Sequence, residues 1–230
     1  LGTTALIKEV LPVQDRDVYK DWNFTGFWVP DEEYQKQMDD PQAFGGPVVQ
    51  KRLQEFLSKP SRPVYMGWGS MPVPPKLLVV AISALRKLSL RAVIAKGWST
   101  ADLGLLDWIS IVGPETSGVT VSKEEVGRLR RYAETRILFV DQAPHEWLFP
   151  QCSCTMHHGG AGTTAAALRA GVPTIVVPLG YDQPYHGDWV SQMGVGIKTS
   201  RSSEIGISEM QAALEKATSD RLMKKRAKDV

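Results

Sequence analysis

Residues Cys152 to Val177, CSCTMHHGGAGTTAAALRAGVPTIVV, decide how the rest of the chain is read. The apolar run Cys152 to Met156 predicts a buried strand, Gly162 to Ala170 a helix, and Val172 to Val177 a second strand. Between the first strand and the helix lies His157-His158-Gly159-Gly160-Ala161-Gly162-Thr163-Thr164. A strand, a glycine-rich loop, a helix and a strand make a βαβ unit, whose two strands run parallel.

The same rhythm extends in both directions. Upstream, the sequence predicts a helix from Pro47 to Ser58, strands at Arg62 to Trp68 and Leu90 to Ala95, and a helix from about Pro74 to Leu88 between them. Trp108 to Val112 reads as a further short strand. Ser122 and Glu125 fit a capping box that opens a polar helix to about Thr135, and Arg136 to Val140 reads as a strand. Downstream come a helix at Asp188 to Met193, a strand at Val195 to Lys198, and closing helices at Ser208 to Ala217 and Asp220 to Lys228. The first of these has Ser208 and Gln211 as a second capping pair. Continuously apolar strands alternating with helices predict an α/β fold, a doubly wound, Rossmann-like parallel sheet covered on both faces. Residues 61–230 form that domain; residues 1–60 read as an interdomain arm and a leading helix, with a strand-like run at Asn23 to Val29.

Composition narrows the function. With 230 residues, 43% hydrophobic and 23% charged, the chain is neither collagen-like, coiled-coil nor disordered. A net charge of +2 offers no wholesale grip on nucleic acid. Cys152 and Cys154 stand too close in sequence for an unstrained disulfide and lack the other ligands of a metal site, which points to a reducing, cytoplasmic setting. The longest apolar run, Leu77 to Ile82, is far short of the roughly 18 residues of a membrane span. The chain starts at Leu1 without a Met and ends at Asp229-Val230, as a piece of something longer would.

Ligands of such sheets bind outside the carboxyl ends of the strands. There, Gly159 to Gly162 let backbone N–H groups and a helix N-terminus close around phosphate. Asp182-Gln183, after the next strand, offers acceptors and donors suited to sugar hydroxyls. Ser70 opens another helix as a second phosphate contact, and Gln142-Ala143, ahead of Pro144, can present a base-edge pattern. One competing reading takes Gly160 to Ala165 as a G-x-G-x-x-A fingerprint, with Asp182 as the ribose acid of an NAD-dependent oxidoreductase. The late position of the loop in the chain argues against it. Gly113 to Gly118 has P-loop spacing, but Val119 stands where Lys is needed. Asp15-Arg16-Asp17, a D-x-D, reads as solvated arm charge and Asn23-Phe24-Thr25 as an unused sequon. The basic run Lys224, Lys225, Arg226, Lys228 reads as a solvated helix end, with contact to acidic lipid headgroups as the second reading.

The stretch Arg136 to Lys198, above all HEWLFPQCSCTMHHGGAGTTAAALRAGVPTIVVPLGYDQPYHGDWV, resembles the UDP-sugar signature of inverting GT-B glycosyltransferases. It is most similar to the sterol 3-β-glucosyltransferases. PVYMGWGSM at Pro63 to Met71, KGW at Lys96 to Trp98 and the arm's TGFW add to the match. The resemblance implies the C-terminal, donor-binding half of a GT-B enzyme that moves glucose from UDP-glucose to a sterol or other lipid hydroxyl. It implies no metal or other cofactor, an N-terminal acceptor-binding domain that supplies the general base, and peripheral contact with membranes. Carried over, His157, Gly159, Gly160, Ala161, Gly162 and Thr163 hold the diphosphate, and Ser70 touches it from the opposite loop. Ala143, with Gln142 beside it, reads uracil, and Asp182 with Gln183 binds glucose. None of these residues is a catalytic base, so a non-catalytic nucleotide-sugar-binding module stays open as an alternative. Gln142 and Ala165 depart from the Trp and Glu of the plant secondary-metabolite branch. Leu105 to Thr135 looks longer than the family's connection and reads as an exposed insertion.

Overall fold

The computed structural model describes residues 46–97, 102–112 and 121–230. The D-x-D, the sequon, the run at Asn23 to Val29 and the P-loop-like segment lie outside them. Strand β1 (Val64–Gly67) is buried at every residue, as expected of a strand covered on both faces. Its neighbours are β2 (Ala92–Ala95) on one side and β4 (Cys154–His157) on the other, both parallel to it. Strands β3 (Ile137–Val140), β5 (Thr174–Val176) and β6 (Gly196–Lys198) complete a six-stranded sheet in the order β3-β2-β1-β4-β5-β6. All five pairings are parallel, and the order is that of a doubly wound dinucleotide-type sheet.

Alternation along each strand sorts side chains between two layers. Val64, Met66, Ala92 and Ile94 face a core shared with helices α2 (Pro75–Lys87), α3 (Leu103–Val112), α4 (Lys123–Arg136) and α8 (Ile207–Ser219). Tyr65, Val93, Ala95, Leu138 and Val140 face the other way. They pack with α1 (Gly46–Leu57), the short α5 (His145–Leu148), the 3₁₀ turn Phe149–Gln151 and α6 (Ala161–Arg169). Val176, Val190, Val195 and Ala227 tie α7 (Gln183–Gln192) and α9 (Arg221–Asp229) beneath the β5–β6 edge.

Helix α1, assigned with the arm from sequence, belongs to this second layer, since Leu53 and Phe56 are buried in it. Arg91 fastens its end. The guanidinium stacks on Phe56 at 4.1 Å, bonds the carbonyls of Lys59, Pro60 and Ser61 at 2.8 to 3.0 Å, and takes that of Phe56 as well. A cation is thereby placed where helix carbonyls lack intrahelical donors.

Three expectations change. Trp108 to Val112 lies in helix α3, not a strand; a short continuous apolar run fits either state, and here Leu106 and Ile109, three apart, are buried while Ile111 is 78% exposed. In its described residues, the segment Leu105 to Thr135 is accordingly no exposed insertion. Within it, Leu106, Ile109, Val126, Leu129 and Ala133 are all fully buried in the first core, and an Arg130–Asp107 ion pair crosses between α3 and α4. Helix α8 begins at Ile207 with Gly206 as its N-cap, so Ser208 sits inside the first turn and caps nothing. The Ser122 cap does form, its Oγ accepting from Glu125 N–H at 3.3 Å. The return arm of the box is lost because the Glu125 carboxylate is drawn to Arg86 and Arg128 at 2.5 and 2.6 Å.

Packing of α3 and α4 into the first core has a direct test in urea unfolding. Leu129→Ala lowers stability by about 2–5 kcal/mol as a core truncation, whereas Ile111→Ala stays within about 0.5 kcal/mol. A small effect at both positions contradicts the packing.

Candidate functional site

The order of strands places β1 beside β4 where the chain's connections change direction, the point at which such sheets bind ligands. Gly67 lies opposite His157 in the register. The loop leaving β1 therefore faces the loop leaving β4 across the sheet edge. The imidazole of His158 fills the gap: a Cβ on Gly69 would stand 3.0 Å from its Cε1, and one on Gly160 only 2.4 Å from its Nε2. Glycine at 160 is what lets that ring lie against the loop. The buried Nδ1 of His158 finds no hydrogen-bond partner among the described residues.

Gly159 is still more constrained. It adopts φ +93°, and a Cβ there would meet Val176 Cγ1 at 2.7 Å and the Gln183 carbonyl oxygen at 3.0 Å. Its N–H donates to His157 Nδ1 at 3.0 Å. His157 thus carries its proton on Nε2, which donates to Thr174 Oγ1 at 2.9 Å, and Thr174 pairs with Thr155 across β4 and β5 at 2.8 Å. His157 is fully buried, with both ring nitrogens engaged. The expected diphosphate contact by His157 is therefore corrected: strand β4 runs through His157 and turns that side chain into the protein, leaving His158 as the imidazole on the loop.

Beyond Gly160, α6 opens with Ala161, Gly162 and Thr163, whose N–H groups precede the first intrahelical bond, Thr164 N–H to Gly160 O at 2.9 Å. Gly160, the N-cap, supplies no side chain, and the first turn carries no acid. The helix dipole and three free donor positions thus converge on one spot. Next to it is a cleft of about 290 Å³ whose lining includes Gly69, Gln142, Ala143, Gly162 and Thr163. Four of the residues predicted from sequence meet there. Ser70 is exposed beside Gly69, on the facing turn. The floor was not predicted: Tyr65 Oη and His145 Nε2 share a hydrogen bond at 2.9 Å, and His145 stacks on Phe149 at 4.5 Å. A larger cavity of about 580 Å³ opens beside edge strand β3, between Phe56, Lys59 and Glu134, away from these donors.

Asp182 and Gln183 sit on the other flank of Gly159, where α7 begins five residues earlier than sequence periodicity indicated. They play unequal parts. Gln183 is buried, and its Oε1 accepts from Leu179 N–H and Gly180 N–H at 2.8 and 3.1 Å, so only its amide N–H₂ is left for a ligand. Asp182 is exposed at the apex of the turn. Tyr181 beside it is 86% exposed and holds φ +56°. His186 is buried, and its Nδ1 donates to Gly159 O at 2.5 Å. Periodicity gave no signal for that inward position.

A parallel sheet in this order, with helices over both faces and a glycine-rich loop at the switch point, is the doubly wound architecture of ligand-binding α/β domains. Solved structures agree on the fold: glycosyltransferase SnogD from Streptomyces nogalater matches with TM-score 0.60 at 20% identity, over 97% of this chain and 48% of that one. Glycosyltransferase VinC, in complex with dTDP, matches with TM-score 0.54 at 20% identity, over 81% and 40%. Residues 119–230 match the family described as Erythromycin biosynthesis protein CIII-like, C-terminal domain. More particularly, the chain is similar to sterol 3-beta-glucosyltransferases. It is 35% identical to one from Arabidopsis thaliana over 70% of this chain and 22% of that protein. It is 34% identical to the Neurospora crassa protein over 91% and 12%. The chain thus spans less than a quarter of these relatives, and in sequence and fold it is similar to sterol glucosyltransferase-like GT-B proteins. The oxidoreductase reading of Gly160 to Ala165 finds no support in these likenesses.

Two predictions follow from the geometry. Burial pushes His145 down from 6.5 to about 4, and burial also lowers His157 and His158. Each is neutral when folded, so the unfolded chain takes up protons first as pH falls. Stability is then intact above pH 6.5 and declines toward pH 4, each imidazole adding a slope of about 1.4 kcal/mol per pH unit within its window. Urea unfolding across pH 4.5 to 7.5, an interval chosen above the ordinary Glu value of 4.5, should show this decline, with a shallower slope in His145→Gln. Separately, Tyr181→Gly relieves a left-handed cost of about 1–2 kcal/mol against a chain-entropy loss of about 0.5–1 kcal/mol. A rise in urea midpoint is expected, and a fall would show that Tyr181 makes compensating contacts.

Proposed function

We propose that this chain binds UDP-glucose and forms the donor half of an inverting glycosyltransferase acting on a sterol or another lipid hydroxyl. The observation that carries it is the convergence of the α6 N-terminus and the His158 imidazole at the β1–β4 switch point. Similarity to sterol 3-beta-glucosyltransferases supports the sugar and the acceptor class.

Departure of UDP concentrates negative charge on the diphosphate, and preorganised N–H donors meet that charge without reorganising. Gly160, Ala161, Gly162 and Thr163 supply backbone donors, with His158 in the place first assigned to His157 and Ser70 reaching from the facing turn. The cleft beside Gln142 and Ala143 takes the uridine, the Ala143 backbone reading the uracil edge. Asp182 and the amide N–H₂ of Gln183 take glucose hydroxyls. The donor set is built of dipoles and an imidazole, so charge on the leaving group is met without a metal ion. Deprotonation of the acceptor hydroxyl belongs to a base on the N-terminal acceptor-binding domain, and this chain alone transfers no glucose.

Thermal unfolding with UDP, UDP-glucose, TDP-glucose, UDP-galactose and NAD tests the reading, since only ligands of the folded state stabilise it. At a hundredfold excess over Kd the gain is about 2.7 kcal/mol, a rise in Tm of roughly 5–11 °C for a domain of this size. UDP and UDP-glucose are expected to produce it. A shift with NAD and none with UDP would reject the proposal.

A further inference from the structure

We propose that His157 and His186 are positioning residues, a pair of buried imidazoles that hold Gly159 from both sides and thereby aim the phosphate-binding N–H groups. The inference rests on the donor site proposed above and goes beyond it, because neither side chain touches the ligand.

The geometry is specific. His157, on β4, accepts the Gly159 N–H at 3.0 Å; His186, on α7, donates to the Gly159 C=O at 2.5 Å. The carbonyl can only accept, so His186 carries its proton on Nδ1, while His157 carries its own on Nε2. One ring thus accepts through its Nδ1 and the other donates through its Nδ1. The tautomer of His157 is fixed from behind by Thr174 Oγ1 at 2.9 Å. Both rings are buried, where an unmatched donor or acceptor is costly.

Gly159 N–H belongs to the peptide plane before its Cα, and Gly159 C=O to the plane after it. Holding both planes sets the backbone at φ +93°. In a trans peptide N–H and C=O point in opposite directions. With the Gly159 C=O drawn toward His186, the Gly160 N–H is aimed away from α7. The groups of Ala161 and Gly162 follow it as α6 begins. The missing side chain at 159 belongs to the same device, since Val176 and the Gln183 carbonyl occupy the space a Cβ would need.

Calorimetric titration of this chain with UDP, paired with Tm measured without ligand, tests the clamp. His186→Phe keeps ring volume and removes the donor; UDP affinity is expected to fall about tenfold or more, the effect of one lost buried hydrogen bond. His186→Asn, which restores an N–H₂ donor on a shorter arm, is expected to recover most of that affinity. Thr174→Val leaves the loop intact and frees the His157 tautomer, with an expected loss of about threefold. If His186→Phe lowers Tm but binds UDP as well as the parent chain does, the histidine is structural only and the clamp is overturned. If the parent chain itself takes up no UDP, the donor-site reading fails, and the inference falls with it.

Discussion

The pairing of β1 with β4, Gly67 opposite His157, is the contact on which the rest of the site depends. A parallel sheet cannot bring two sequential connections to the same place unless the strand order reverses, and only at that reversal do two loops face each other across an open crevice. One loop arrives from each half of the sheet. Neither is long, so the distance between them is set by strand spacing rather than by loop flexibility, and a single imidazole, that of His158, bridges it. The glycines on each side are small because that ring is there: Gly69 and Gly160 would both crowd it with a Cβ.

Much of this was legible in the sequence because the signals were local. Runs such as Cys152 to Met156 and Val172 to Val177 are largely apolar and short, and the glycines between strand and helix mark the turn without any knowledge of the partner strand. Failures came where state or direction is decided by tertiary contact. Trp108 to Val112 has no helical stripe of its own, and it becomes a helix because Leu106 and Ile109 find α4. Helix α7 was read five residues short because Pro184 and Gly187 weaken a periodic pattern, although proline is well placed at the start of a helix. The exchange between His157 and His158 is subtler. Had the strand been extended by one residue, alternation would have set Cys154 and Met156 on one face and Thr155 with His157 on the other, pointing His157 inward. His186 could not have been found in this way, since its partner lies 27 residues earlier in sequence.

Histidines near an anion site are usually weighed as charges. Here burial keeps His145 and His157 neutral near pH 7, and what each contributes is a directed donor or acceptor. Fixed dipoles respond in proportion to the charge that develops, and their orientation is set during folding. Burying neutral rings, each with a partner, is the less costly way to build such an array.

The turn that carries Asp182 shows how the fold sustains a local conformation that the residue itself disfavours. Tyr181 lies in the left-handed region, where a β-carbon crowds the following carbonyl. It is held there because Gln183 Oε1 gathers the N–H groups of Leu179 and Gly180, while Tyr185 and His186 N–H both return to the Asp182 carbonyl. Four backbone donors thus constrain one short turn, enough to over-determine a strained residue. The outcome is directional. Gln183 turns inward as a brace, Asp182 is left exposed at the apex, and α7 starts early enough to carry His186 beneath the phosphate loop. The Asp182 turn and the glycine-rich loop after β4 are therefore mechanically one piece, joined through the first turn of α7.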